Sequence, residues 1–139
     1  LNYQTLTINT HGERFYNITN EVKRTLAKAT GDNDNGILHL FITHTSCGLT
    51  INESYDPSAK EDLESFLDYI APRNLPFIKH TDEGPDDSPS HMKTMLVNQS
   101  MSFVVDNSEL ILGTWQGIYL CEFRDSPKQR SIIFKFVKD

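Results

Sequence analysis

A chain of 139 residues and 15.9 kDa holds one domain and is too short for two comfortable ones. Its 37% hydrophobic and 23% charged content fits a soluble globular protein, and no apolar run reaches the roughly 18–20 residues of a membrane span, so no membrane anchor is expected. The net charge of −6 and pI near 5.3, without a cluster of Lys and Arg, argue against a nucleic-acid surface, because such clusters are what hold phosphate backbones.

Leu1 is not followed by a basic segment leading into an apolar one, so no secretory signal is expected. Cys47 and Cys121 stand far apart without a C-x-x-C partner, which indicates neither a disulfide framework nor a zinc ribbon and makes a cytoplasmic location the expectation.

Alternation over Tyr3–Asn9, a turn at His11-Gly12 and a second alternating run over Arg14–Ile18 predict two strands. His11 reads as a solvated turn residue. Thr19 or Asn20 is the expected cap of a helix that presents Val22, Leu26 and Ala29 on one face and stops at Gly31. The following tract to Gly36 has the composition of a calcium loop but not its closing acid. Ile37–Thr43 reads as a central strand, apolar on both faces, with Leu38, Leu40, Ile42 and His44 on one and Ile37, His39, Phe41 and Thr43 on the other. His39 lies within the strand and reads as structural. His44 stands at the strand exit, where loops tend to carry sites.

Asp56-Pro57 has the form of an N-cap and first helical position, and Leu63, Phe66, Leu67 and Ile70 then give the stripe of an amphipathic helix ending at Ala71-Pro72. Asp56 serves equally as a plain cap or as a site residue, whereas Asn52 and Glu53 have no such local task.

His80–Lys93 reads H-T-D-E-G-P-D-D-S-P-S-H-M-K: four acids, two histidines, two serines and a lysine within fourteen residues, carrying three of the six net negative charges. Such a run cannot build a core. One reading is a solvated surface loop turned by Gly84, Pro85 and Pro89. The other is that His80, Glu83, Asp86, Asp87 and His91 converge on a cation, a phosphate or a proton in transit. Imidazole titrates near neutrality and ligates borderline metals, while carboxylates hold hard cations or relay protons. Ser88-Pro89 predicts the start of a short helix to about Asn98, with its free N–H groups toward the loop, His91 and Lys93 in its first turn and Met92, Met95 and Leu96 inward.

From Met101 onward the chain reads as strand and turn: Ser102–Val105, Leu110–Leu112, Trp115–Arg124 and Arg130–Val137, an antiparallel meander. Glu122 stands out among apolar neighbours on one strand face with Gln116. Arg130 lies across the turn within diagonal reach, so the two form a structural ion pair or, with Gln116, line a site.

Three passages, H-T-S-C-G-L-T-I-N-E-S-Y-D-P (44–57), the run 80–93 and L-G-T-W-Q-G-I-Y-L-C-E-F-R (112–124) with Arg130, together resemble the YjbQ family, also called UPF0047 or the secondary thiamine-phosphate synthase family. The resemblance covers most of the chain. It implies an α+β single-domain sandwich with an antiparallel sheet, two or three helices and a C-terminal β-meander. It also implies a homotrimer with polar motif residues near subunit boundaries, and a weak thiamine-phosphate synthase activity that joins aminopyrimidine-methyl diphosphate to thiazole phosphate with release of diphosphate.

Carried over by motif, the expected site residues are His44, His91, Glu122 and Gln116 for catalysis and Asn52, Ser90, Lys93 and Arg130 for substrate or anion binding. Glu53, Asp56, His80, Glu83, Asp86 and Asp87 are the candidates for a divalent metal, magnesium or zinc. Cys47 reads as a small packing residue rather than a nucleophile. An acidic chain supplies few cations for a leaving diphosphate, and no glycine-rich phosphate cradle is present, so a metal would have to carry that charge, with Lys93 and Arg130 assisting. Two further functions fit the same residues: a hydrolase using metal-activated water, and a trimeric module that binds a small phosphorylated or anionic metabolite without turning it over.

Overall fold

Period-two apolar patterning puts Leu38, Leu40 and Ile42 of one strand, Phe103 and Val105 of a second and Ile132 and Phe134 of a third into a single buried layer. The computed structural model describes residues 2–139 and runs β1 (Gln4–His11), β2 (Arg14–Asn17), α1 (Thr19–Ala29), β3 (Gly36–Ile42), β4 (Cys47–Glu53), α2 (Pro57–Ile70), α3 (Asp87–Thr94), β5 (Ser100–Asp106), β6 (Glu109–Leu110), β7 (Gln116–Glu122) and β8 (Pro127–Lys138). Two antiparallel sheets, β1-β8-β3-β5-β6 and β2-β7-β4, share a core to which Leu49, Ile118 and Leu120 contribute from the smaller sheet and Val22 and Leu26 from α1. The expected α+β sandwich with three helices is therefore present. The C-terminal strands occur in the expected order but are divided between the layers: β5, β6 and β8 join the larger sheet, and β7 is the central strand of the smaller one.

Local details depart from the sequence reading. Strand β3 is central in hydrogen bonding, between β8 and β5, yet it packs on one face only, and His39 and Phe41 on the other are exposed. Neither Thr19 nor Asn20 caps α1. Instead the Asn17 side-chain oxygen accepts from the Thr19 N–H at 3.0 Å and from its hydroxyl at 2.6 Å, and the hydroxyl accepts from the Ile118 N–H at 2.9 Å, tying the helix start to β7. In α2, Asp56 caps as expected, accepting from the Ser58 N–H at 2.9 Å. Only Leu67 of its stripe is buried, and Phe66 and Ile70 remain 57% and 43% exposed.

Helix α3 begins at Asp87, ahead of the Ser88-Pro89 signal, and ends at Thr94. Met95 and Leu96 lie on the surface, while the residues it buries are Asp87, Pro89, Ser90 and Lys93. A charged face therefore points inward. What allows this helix to sit against β4 is Gly48: a Cβ there would lie 2.4 Å from the Val97 side chain, and the close approach lets Leu49 and Asn98 exchange backbone hydrogen bonds of 2.6 and 2.8 Å.

Candidate metal centre

Asp87 and His91 are four residues apart on α3, so their side chains lie on one face of the helix. The preceding loop turns at Gly84, whose φ of +107° is a conformation open to glycine, and carries His80 back onto the same face. His80 Nε2 lies 2.7 Å and His91 Nε2 3.1 Å from the same oxygen, Asp87 Oδ2, with the imidazole centroids 5.3 Å apart. The Asp87 carboxylate is buried and forms the floor. The two imidazoles are partly exposed and form walls open to solvent.

The second polar atoms of His91 and Asp87 are already committed. His91 Nδ1 is 2.7 Å from the Thr45 carbonyl oxygen, which can only accept, so Nδ1 carries a proton. In the neutral ring the Nε2 lone pair then faces a carboxylate oxygen, an arrangement that a proton or a metal cation between them resolves. The Arg124 Nη1–H donates to Asp87 Oδ1 at 2.7 Å, leaving Oδ2 for the centre. Burial works against the charge on Asp87, but His80, His91 and Arg124 outweigh it and hold its carboxyl below the usual range.

These donors suit a metal ion. The three ligand atoms fall within 4.8 Å of one another, and the two contacts to Asp87 Oδ2 are near the roughly 3.3 Å edge of a tetrahedron with zinc-length bonds. Two imidazoles and one carboxylate with an open side match a catalytic zinc site or a non-haem iron triad. They do not match the all-oxygen octahedron of magnesium. The His91–Thr45 contact is the outer hydrogen bond that metal-ligating histidines generally make.

Of the other expected site residues, Asp86, Glu83, Ser90 and Lys93 lie in the same loop and helix without joining the triad. Asp86 Oδ2 accepts from Arg124 Nε and the Asp125 N–H, both at 2.9 Å; burial opposes its charge, yet these donors keep its carboxyl below the usual range. The Glu83 side chain is exposed, and its carbonyl accepts from Arg124 at 2.9 Å. The Ser90 hydroxyl donates to the Asp87 carbonyl at 2.5 Å. Lys93 is buried in ion pairs with Glu13 and, at 2.6 Å, Asp68.

Glu122 and Arg130 form the structural ion pair. Arg130 donates from Nε to Oε2 at 2.7 Å and from Nη2 to Oε1 at 2.5 Å, across the two sheets and fully inside the protein, with Thr10 and Ser46 completing the cluster. His44 Nε2 accepts from the Ser131 N–H at 2.8 Å. Burial lowers its pKa, Arg130 adds to the effect and Glu122 opposes it. His44, Thr45, His91, Thr94 and Gln99 line one open depression, so His44 shares a surface with His91 of the triad. Burial pushes the Cys47 thiol up to about 12, in keeping with a packing role.

Asn52, Glu53, Asp56 and Gln116 lie elsewhere. Strand pairing sets Cys47 opposite Glu122 but Glu53 opposite Gln116, which separates the two ends by roughly 20 Å at about 3.3 Å per residue. Each of the four is engaged locally: Glu53 accepts from the Asp56 N–H at 3.1 Å, Gln116 from the Gly113 N–H at 2.7 Å and Asn52 from the Glu53 N–H at 2.8 Å. The functional residue that sequence reasoning missed is Arg124. Its one visible signal was a second charge, two residues after Glu122, at the end of a largely apolar strand.

A family model described as "UPF0047 protein YjbQ-like" matches residues 4–139. UPF0047 protein YjbQ of Escherichia coli is 38% identical over 130 residues, spanning 94% of this chain and 93% of that protein. UPF0047 protein YugU of Bacillus subtilis is 38% identical over 128 residues, 92% of each chain. Among solved structures, a conserved hypothetical protein from Thermus thermophilus superposes with a TM-score of 0.85 at 34% identity, covering 96% of this chain and 99% of that one. An uncharacterised YjbQ/UPF0047 protein from Clostridium acetobutylicum gives 0.84 at 32% identity over the same shares. With the match running through all eight strands and the loop that carries the triad, the chain belongs to the YjbQ/UPF0047 family.

Proposed function

We propose that this protein is a metal-dependent enzyme of the hydrolase type, acting on a small substrate in the depression beside His80, Asp87 and His91. The observation that carries the reading is the convergence of three ligand atoms within 4.8 Å, with outer hydrogen bonds to Thr45 and Arg124 that fix the His91 tautomer and the Asp87 carboxylate orientation. A zinc-class ion held there supplies Lewis acidity and activation of water at neutral pH. His44 supplies a hydrogen-bond donor: its Nε2 accepts from Ser131, so the neutral ring carries its proton on Nδ1. Calorimetric titration of the metal-stripped protein with zinc, manganese and magnesium tests the reading. Zinc binding at one equivalent, abolished in His80→Ala and His91→Ala, is expected; failure of the wild type to bind zinc or manganese overturns it.

The thiamine-phosphate synthase activity associated with the family is the second reading. It requires positive charge on a leaving diphosphate, and Lys93, Arg124 and Arg130 are each already paired with carboxylates. The small phosphorylated or anionic metabolite expected as ligand would therefore meet the metal rather than a free side-chain cation, whether it is turned over or only bound. Release of pyrophosphate from an aminopyrimidine-methyl diphosphate, as against water-dependent cleavage of a generic ester, separates the two enzymes.

We also infer a homotrimer in the cytoplasm. Two apolar surfaces left uncovered by the chain itself support the oligomer: Phe41 and Val104 on the outer face of the larger sheet, and Phe66, Ile70 and Phe77 on and after α2. Buried free thiols at Cys47 and Cys121 suit a reducing compartment. Light scattering on the purified protein should give three times the 15.9 kDa chain mass.

A further inference from the structure

Arg124 stands two residues beyond β7 at the edge of the triad and makes no contact with its open side. Its guanidinium is 12% exposed and spends donors in three directions: Nε to Asp86 Oδ2 at 2.9 Å, Nη1 to Asp87 Oδ1 at 2.7 Å and Nη2 to the Glu83 carbonyl at 2.9 Å. Asp86 and Asp87 are adjacent buried carboxylates, and together with His80 and His91 they define the loop-to-helix junction on which the centre is built. We infer that Arg124 is the positioning residue of the metal centre: by clamping one oxygen of Asp87 and anchoring the loop at Asp86 and Glu83, it turns the other Asp87 oxygen toward the two imidazoles. This rests on the metal-centre reading proposed above.

The physical reason lies in the planar fork. A carboxylate bound through one oxygen to a rigid donor cannot rotate its second oxygen freely, so the geometry of Oδ2 is inherited from a guanidinium anchored at two other points. A lysine at this position would keep the charge but present a single ammonium, unable to reach Asp86, Asp87 and the Glu83 carbonyl in those directions at once. A purely neutralising role would therefore survive Arg124→Lys, and a positioning role would not. Outer contacts of this kind typically alter metal affinity by roughly 10–100-fold.

The test compares zinc affinity, by calorimetry, and the visible spectrum of the cobalt(II)-loaded protein across wild type, Arg124→Lys, Arg124→Met and Arg73→Met. Arg73 bridges Glu13 and Asp125 in the same chain of ion pairs without touching the triad, and so controls for loss of a surface bridge. Expected is a fall in zinc affinity of at least tenfold in both Arg124 variants, with a changed cobalt spectrum, and wild-type values in Arg73→Met. Wild-type affinity and spectrum in Arg124→Lys overturn the inference. So does an equal loss in Arg73→Met, which would mark a general effect of destabilisation. If neither Arg124 variant folds, the arginine is a stability residue and the positioning role falls. A wild type that binds neither ion removes the underlying metal reading instead, and this inference with it.

Discussion

At the scale of single residues, the charged groups inside this protein divide by what each has left to offer. Arg130 and Glu122 engage one another through two hydrogen bonds, with Thr10 and Ser46 beside them, so the pair contributes to stability only while intact. Removing one partner from such a pair strands the other in a dry environment, which typically costs about 3–5 kcal/mol. Arg130→Met should lower the unfolding free energy by about that amount in a urea titration. The paired exchange Arg130→Met with Glu122→Leu should recover much of it, and a mild effect of the single change would mean that water reaches the pair. The cysteines offer an independent check on burial. With Cys47 pushed up to about 12 and Cys121 also raised by burial, neither is a thiolate near neutrality. Native protein at pH 8 should leave both thiols unlabelled by iodoacetamide over an hour, while protein in denaturant labels both, as read by intact mass.

At the scale of elements, the strands were legible from their period-two patterning, and burial alternates along β3, β5 and β8, although β3 is apolar on both faces and its sequence alone did not show that one of them is exposed. The α2 stripe is only half covered, through Leu67 and Leu63, whereas α3 ends at Thr94 rather than near Asn98 and turns a different face inward from the expected Met92, Met95 and Leu96. In α2 the apolar stripe is real, yet Phe66 and Ile70 remain largely exposed at its edge, and periodicity cannot tell which molecule covers a stripe. In α3 the inward face is charged, because its partners are Arg124, Glu13 and Asp68 from distant segments, and a pairing over such separations leaves no local pattern. The same cause hid Arg124, and it explains why Asn52 and Gln116, read into one site with the acidic loop, lie at the far end of β4 and β7. Lys93 tests the division of labour along α3. Its neighbour Glu13 keeps Arg73 as a second partner at 3.0 Å, and Asp68 is mostly solvated, so neither is stranded when the ammonium is removed. Lys93→Met should destabilise the fold by only about 1–2 kcal/mol and leave zinc affinity at its wild-type value, measured by urea titration and calorimetry on the same samples.

At the scale of the whole molecule, ionised groups join elements that share little apolar surface. Asp68 of α2, Lys93 of α3, Glu13 between β1 and β2, and Arg73 after α2 form one chain of contacts. It continues through Asp125, whose N–H donates to Asp86, and through Arg124 to Asp87. Stability should therefore follow pH in two stages. His44 has a folded pKa below its usual value, chiefly through burial, so the unfolded chain takes up a proton there first. The corresponding stability is complete above about pH 6.5 and is lost as pH falls from there toward the depressed folded value. Asp86 and Asp87 also have lowered folded values, because hydrogen bonds and paired cations outweigh burial. Their contribution is complete above about pH 4 and is lost as pH falls further through the folded values, where the links to Arg124 and Asp125 fail together. Unfolding free energies of metal-stripped protein, measured in urea from pH 8 to pH 3, should show a shallow decline below about 6.5 and a steeper one below about 4. His44→Gln keeps an acceptor for the Ser131 N–H and removes the titration, so it should abolish the first decline alone. A first decline that persists in His44→Gln would assign it to other groups, and a flat profile below pH 4 would mean that the buried carboxylates do not hold α3 in place.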